Sequence, residues 1–174
     1  MISQRRITDY DQVRHGIAAP EDSNVQQFVS FVVGEQDYCV DIMAVREIRA
    51  WTGTTALPNS PPYVRGVINL RGIIVPVIDL RMRFGLGLTE PTPGHVVVIV
   101  AIGETQSGLL VDGVSDIVTV HTKDIAPIPD MDGETRNPFF QGLVTGQEKL
   151  MALIALDQLA TQRVGDPVST SAAA

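Results

Sequence analysis

From Gln27 onward the chain alternates between short runs of valine, isoleucine and aromatic residues and clusters of glycine, proline, aspartate and asparagine. Short apolar or alternating runs bounded by turn residues are the mark of β-strands. The pattern predicts strands over 27–33, 38–41, 64–70, 73–78, 95–102, 108–111, 114–120, 139–145 and 150–156. Gly34-Glu35 and Gly103-Glu104 fall between paired runs and predict hairpin turns. Helical periodicity is scarce. Short helices are expected over 42–48, 80–84 and 158–162, each following an aspartate (Asp41, Asp79, Asp157) placed to cap it. Pro76 lies inside an apolar run and has no N–H to give a ladder, which predicts an edge or a bulge there.

The layout occurs twice. Phe31-Val32-Val33-Gly34-Glu35, Val40-Asp41 and Val45-Arg46-Glu47-Ile48 reappear as Val100-Ala101-Ile102-Gly103-Glu104, Val111-Asp112 and Val114-Ser115-Asp116-Ile117. Leu57-Pro58 returns as Ile128-Pro129, Gly66-Val67-Ile68 as Gly142-Leu143-Val144, and Val77-Ile78-Asp79-Leu80 as Ala155-Leu156-Asp157-Gln158-Leu159. The offset stays between 69 and 78 residues. Two related β units packed side by side account for this, and about five strands in each fits two small barrels, which hide their sheet edges by closure. The expected division is a flexible arm over 1–24, a domain over 25–163 with pseudo-repeats at about 25–93 and 94–163, and a disordered tail over 164–174. Units this small are marginal alone, so the pair is expected to share a core.

Charge adds one feature. The net charge is −7, which disfavours non-specific binding to nucleic acid. Yet between Arg46 and Arg83 six arginines face only Glu47 and Asp79, so a basic face sits on an acidic protein and favours an acidic partner. The first residues lack the apolar stretch of a signal peptide, and no run is long enough to span a membrane. A soluble cytoplasmic protein, complete from Met1, is expected.

Catalytic chemistry finds no support. Cys39 is the single cysteine and reads as a buried, inert thiol. His15, His95 and His121 are far apart, and no metal-ligand spacing, nucleophile elbow or phosphate loop occurs. Asp41, Asp79, Asp112 and Asp157 stand at strand ends, where capping is their expected role. Neither catalysis, cofactor nor metal is expected. Binding chemistry is better represented. Val45-Arg46-Glu47-Ile48-Arg49-Ala50-Trp51 mixes charged and apolar groups, with Ile48 assigned to the core and Trp51 open between a packed cap and an exposed contact. Arg71 stands at the tip of the turn Asn69-Leu70-Arg71-Gly72, where its planar fork suits Glu47 or a partner's carboxylate.

The segments Tyr38-Cys39-Val40-Asp41-Ile42, Val64-Arg65-Gly66-Val67-Ile68-Asn69-Leu70-Arg71-Gly72, Ile74-Val75-Pro76-Val77-Ile78-Asp79-Leu80-Arg81 and Gly108-Leu109-Leu110-Val111-Asp112-Gly113-Val114-Ser115-Asp116-Ile117, in this order, resemble the CheW family of chemotaxis coupling proteins. The resemblance runs from about Gln26 to Leu159 and implies an all-β protein of two SH3-like five-stranded barrels with a few short helices. It implies a non-catalytic adaptor between the cytoplasmic tips of chemoreceptors and the regulatory domain of the histidine kinase CheA, in arrays that also contain other CheW-like domains. Such a protein is cytoplasmic, recruited to membrane-associated arrays, with no membrane insertion of its own. The positions matching the family's receptor contacts are Val45, Glu47, Gly66, Arg71, Val96 and Val97, in a groove between the barrels that takes a helical hairpin. The long arm before Val25, Cys39 where glycine is common, and the variable stretch 130–138 depart from the family pattern. The competing readings are the same adaptor in a non-flagellar pathway governing pili or gene expression, and, from another class, a small-molecule-binding β-barrel or a hydrolase.

Overall fold

The computed structural model describes residues 24–129, 138–146 and 148–159. The expected arm (Asn24 apart), the expected tail and residues 160–162 of the third expected helix lie outside them. Eleven strands are present among the described residues: β1 Val25–Val33, β2 Gln36–Asp41, β3 Val45–Ala50, β4 Val64–Leu70, β5 Ile73–Asp79, β6 Val96–Ile102, β7 Thr105–Val111, β8 Gly113–His121, β9 Ile125–Ala126, β10 Phe140–Gly146 and β11 Lys149–Ile154. Two short helices, α1 (Leu80–Arg83) and α2 (Leu156–Leu159), follow β5 and β11.

The strands form two sheets, one ordered β8-β1-β2-β11-β10-β9 and the other β3-β6-β7-β5-β4. Let β6, β7, β8, β10 and β11 be the counterparts of β1, β2, β3, β4 and β5. The five main strands of both sheets then have the same order, and each sheet carries the first two strands of one repeat with the last three of the other. Even the lone Thr55–Val67 bridge at β4 has its counterpart in the β9–β10 pairing. The chain crosses between the sheets twice, from β2 to β3 and from β7 to β8. Asp41 serves the first crossing by accepting from Met43 N at 2.9 Å. Asp112 serves the second: its Oδ2 accepts from Gly34 N at 2.8 Å, and Oδ1 lies 3.3 Å from His95 Nε2.

This exchange explains why 96–102 is apolar at every position. Within β6, Val97 and Ile99 join a cluster with Leu70, Val75, Val77 and Leu110 inside the five-stranded sheet. Val98 and Val100 point the other way, into the largest cluster, with Val29, Phe31, Val33, Tyr38 and Val40 of the other sheet. Phe28 and Cys39 turn back into their own sheet against Val118, Val144, Met151 and Leu153. Strands buried on both faces lose the period-two alternation of a half-buried strand. Aromatic residues fill the contact at one end, where Tyr38, Phe84 and Phe140 rings lie 5.0–5.7 Å apart by centroid. The Arg83 guanidinium lies over Tyr63 at 4.0 Å and Phe139 at 4.6 Å.

Three expectations are corrected. The helix expected over 42–48 is a single 3₁₀ turn, Ile42–Ala44, followed by strand β3. The Asp41 cap is real, but Val45, Arg46 and Ile48 favour extended backbone, and β6 offers them a ladder. Asp157 lies inside α2 and so does not stand before it as a cap. Pro76 is on an interior strand, between β4 and β5's other neighbour β7. Its partner Val67 turns its own N–H and C=O outward to Thr55, so no ladder bond to Pro76 is due. Pairing with β7 begins only at Val77.

Asp79 is fully buried and ties four segments together. It accepts from Thr89 N (2.9 Å), Thr89 Oγ1 (2.7 Å), Met82 N at the start of α1 (3.3 Å) and Arg65 Nε on the β4 bulge (3.2 Å). Removing it strands Arg65, whose Nη2 is already buried without a partner. Asp79→Ala is therefore expected to lower the unfolding free energy by about 3–5 kcal/mol, measured by urea denaturation; a loss below about 1 kcal/mol would show that the carboxylate holds nothing.

Candidate functional site

The β4–β5 hairpin closes with Leu70 opposite Ile73 and only Arg71 and Gly72 between them. Both have positive φ, 50° and 89°, which is the two-residue turn that matches the twist of the flanking strands. Asn69 Oδ1 accepts from Gly72 N at 2.7 Å and fixes the turn. Glycine is at ease there; an arginine at φ 50° bears a cost of about 1 kcal/mol. The Arg71 side chain is 79% exposed, and its Nη2 donates to Glu47 Oε2 at 2.7 Å. Glu47 Oε1 lies 3.7 Å from Arg49 Nε. The tip arginine thus reaches across to β3, the opposite edge of the same sheet.

Glu47 owes its position to a bulge. The register with β6 slips between Val45, opposite Val100, and Glu47, opposite Ile99. The extra residue is Arg46, whose Nη1 donates to Met43 O at 2.8 Å. The slip sends Glu47 and Arg49 to the face shared with Ile99 and Val97. Val45 and Ile48 instead share the face of Val100 and Val98, beside the core between the sheets. Ile48 is 47% exposed, which corrects its assignment to the core. That assignment followed from a helical spacing that β3 does not have. Trp51 is half-buried and packs on the Val97–Leu110 cluster, so it is a cap on that core.

The six expected contact residues fall into three groups. Val45 and Val96 are half-buried and pack at the margin of the core between the sheets. Glu47 and Arg71 form the exposed ion pair. Gly66 and Val97 are buried, Val97 at 3% exposure, and its side chain points into the five-stranded sheet, away from Val96. Successive strand residues face opposite ways, so Val96 and Val97 do not line one surface. Gly66 has φ 140°, and a Cβ there would run into the Thr55 carbonyl. Its place is a close backbone approach. Ile48, Arg49, Trp51 and Asn69 complete this region and were not singled out as its contacts; only the bulge and the hairpin tip bring them to it.

No group of histidine, cysteine or acidic residues suited to a metal occurs among the described residues. The chain matches the family model described as the CheW-like domain over residues 27–164. The chain belongs to the CheW-like family. It is 43% identical over 134 residues to the chemotaxis protein CheW of Rhizobium meliloti (strain 1021), covering 77% of this chain and 86% of that protein. With the CheW of Bacillus subtilis (strain 168) identity is 32% over 129 residues, or 74% and 83% of the two chains. A crystal structure of the scaffolding protein TtCheW from Thermoanaerobacter tengcongensis superposes with a TM-score of 0.73 at 32% identity, covering 79% of this chain and 94% of that one. The fold is the pair of SH3-like subdomains of that family, with the two-residue β9 as a sixth strand of one sheet. This CheW-like chain is a non-catalytic chemotaxis adaptor.

Burial removes Cys39 from chemistry: its side chain is fully enclosed, and desolvation pushes the thiol up to about 12. The folded protein is expected to resist a disulfide reagent at pH 8 and to react fully once unfolded; fast native reaction would contradict that enclosure. Gly66→Ala is expected to destabilise by about 2–4 kcal/mol, read as a drop in the thermal midpoint, since both φ and the Thr55 carbonyl oppose a side chain.

Proposed function

We propose that this CheW-like chain couples the cytoplasmic tip of chemoreceptors to the histidine kinase CheA, and that it works in receptor arrays at the membrane while remaining outside the bilayer. The observation that carries the receptor-facing site is the Glu47–Arg71 pair. It is held by an arginine that the turn geometry does not require, since the equivalent hairpin β10–β11 also has a non-glycine residue at positive φ in its turn, but there it is Glu148. A helix laid along β3 and β6 would meet Val45, Ile48 and Val96 as an apolar strip, with Glu47 and Arg71 reached around the edge of β3, on its other face. Apolar anchors flanked by charge are how grooves take amphipathic helices. Gly66 and Val97 serve this surface from beneath, by shaping β4 and supporting β6.

Exchanging the tip residue separates function from folding. Arg71→Asn removes an exposed ion pair worth about 0–1 kcal/mol and relieves a backbone cost of similar size. Its denaturation midpoint is expected to stay at or above that of the parent protein. Its capture in a receptor–kinase complex and its stimulation of CheA are expected to fall at least about tenfold, and Glu47→Ala is expected to act likewise. Unchanged pull-down and unchanged kinase stimulation by both variants would overturn the site.

A further inference from the structure

The five-stranded sheet curls until its edge strands β3 and β4 flank a gap, and they do not pair with one another. At one end the chain itself closes the gap, where Thr55 and Val67 exchange hydrogen bonds of 2.9 and 2.8 Å. At the other end the Glu47–Arg71 pair spans it. Between them lies a cavity of about 400 Å³, lined on the β3 side by Arg49 and Ala50, at the corner by Trp51 and Thr54, on the β4 side by Asn69, and beneath by Val97. That size suits a small ligand or a short stretch of chain.

Beyond the Thr55–Val67 bridge, the backbone of this seam meets no ladder partner among the described residues. Trp51 N donates to His95 O at 2.9 Å, so in the antiparallel ladder Trp51, Arg49 and Glu47 turn their amide groups toward β6. Ile48 and Ala50 turn theirs to the open edge, which meets no other strand among the described residues. Across the gap Val67 faces outward to Thr55, and Asn69, two residues on, faces outward as well. Such an edge is a template for an added strand. Among the described residues, Arg49 is the one charged side chain lining the cavity. Its tie to Glu47 is long, 3.7 Å to Oε1, while Arg71 holds Oε2 at 2.7 Å. Arg49 therefore keeps donors for another carboxylate.

We propose that this seam binds a short, extended, acidic segment of a partner protein. The segment adds to the edge of β3 through the main-chain groups of Ile48 and Ala50 and sets a carboxylate on Arg49. A helix fits poorly, because it has no free main-chain groups for the edge and is about 10 Å wide. Charge complementarity selects the occupant: Arg49 lines the cavity and Arg71 spans its end, and between them they share the single carboxylate of Glu47, in a chain of net charge −7. The segment uses the outward main-chain groups of Ile48 and Ala50, not the side chains of the helix-facing strip, so the proposal stands whether or not receptors dock there.

The test uses the full chain and two fluorescein-labelled hexapeptides, one of alternating valine and glutamate and one of alternating valine and lysine. Fluorescence anisotropy is expected to show the acidic peptide binding at least about tenfold tighter than the basic one. Amide hydrogen exchange is expected to slow at Ile48 and Ala50 on binding. Ala50→Pro removes an outward N–H and no ladder bond to β6, and Arg49→Gln removes the charge; each is expected to weaken binding about tenfold or more. Should Ala50→Pro fail to fold, exchange in the parent protein and the Arg49→Gln variant decide. Absence of binding, equal binding of both peptides, or binding without slowed exchange at Ile48 and Ala50 would overturn the proposal. No receptor or kinase takes part, so this result and the coupling result fail independently.

Discussion

The structure depends on strands that are buried on both faces. β1, β2, β6 and β7 each send alternate side chains into their own sheet and the others into the core between the sheets. That middle core, with Phe31, Val40, Val98, Val100 and Leu109 fully enclosed, is the largest of the three. Neither half can be withdrawn without exposing the face it shares. Because each sheet takes two strands from one repeat and three from the other, the connections β2–β3 and β7–β8 cross the same boundary that the core fills. Covalent crossing and apolar burial reinforce each other, and two units too small to be secure alone become one cooperative body.

Aspartates serve the places where this arrangement bends. Asp41 and Asp112 stand at the two crossings, and Asp79 at the end of β5 gathers Arg65, Met82 and Thr89 around one buried carboxylate. In all three cases the carboxylate answers N–H groups that a turn has left without a ladder partner, which is the physical reason the residue type recurs at strand ends. The proposed receptor-facing surface occupies what the packing leaves over. The edge strand β3 and the β4–β5 tip contribute little to the middle core, and there the chain accepts an unfavourable φ at Arg71 and an exposed Ile48.

Much of the fold was legible because the residues that fix it act locally. The two-residue turns at Gly34-Glu35 and Gly103-Glu104, strand 64–70, and the caps by Asp41 and Asp79 all follow from side chains close to the backbone they govern. The misreadings arose where a distant partner decided. β3 looks helical beside Asp41 until β6 supplies a ladder, and Pro76 looks like an edge residue until the outward turn of Val67 is seen. Of the six site residues, Glu47 and Arg71 meet as their chemistry implied. Val96 and Val97, adjacent in sequence, part to opposite faces because a strand has a period of two.

The sequence by itself determined the class of the protein, the internal repeat and the family, because each rests on residue types and their order. Only the tertiary structure decided which repeat lends strands to which sheet, that the bulge at Arg46 turns Glu47 and Arg49 to the face of Ile99 and Val97, and that β3 and β4 end as two open edges beside one cavity. Those outcomes depend on pairings between residues tens of positions apart. Each apolar run could pair with several others, and the burial of both faces at once selects among them.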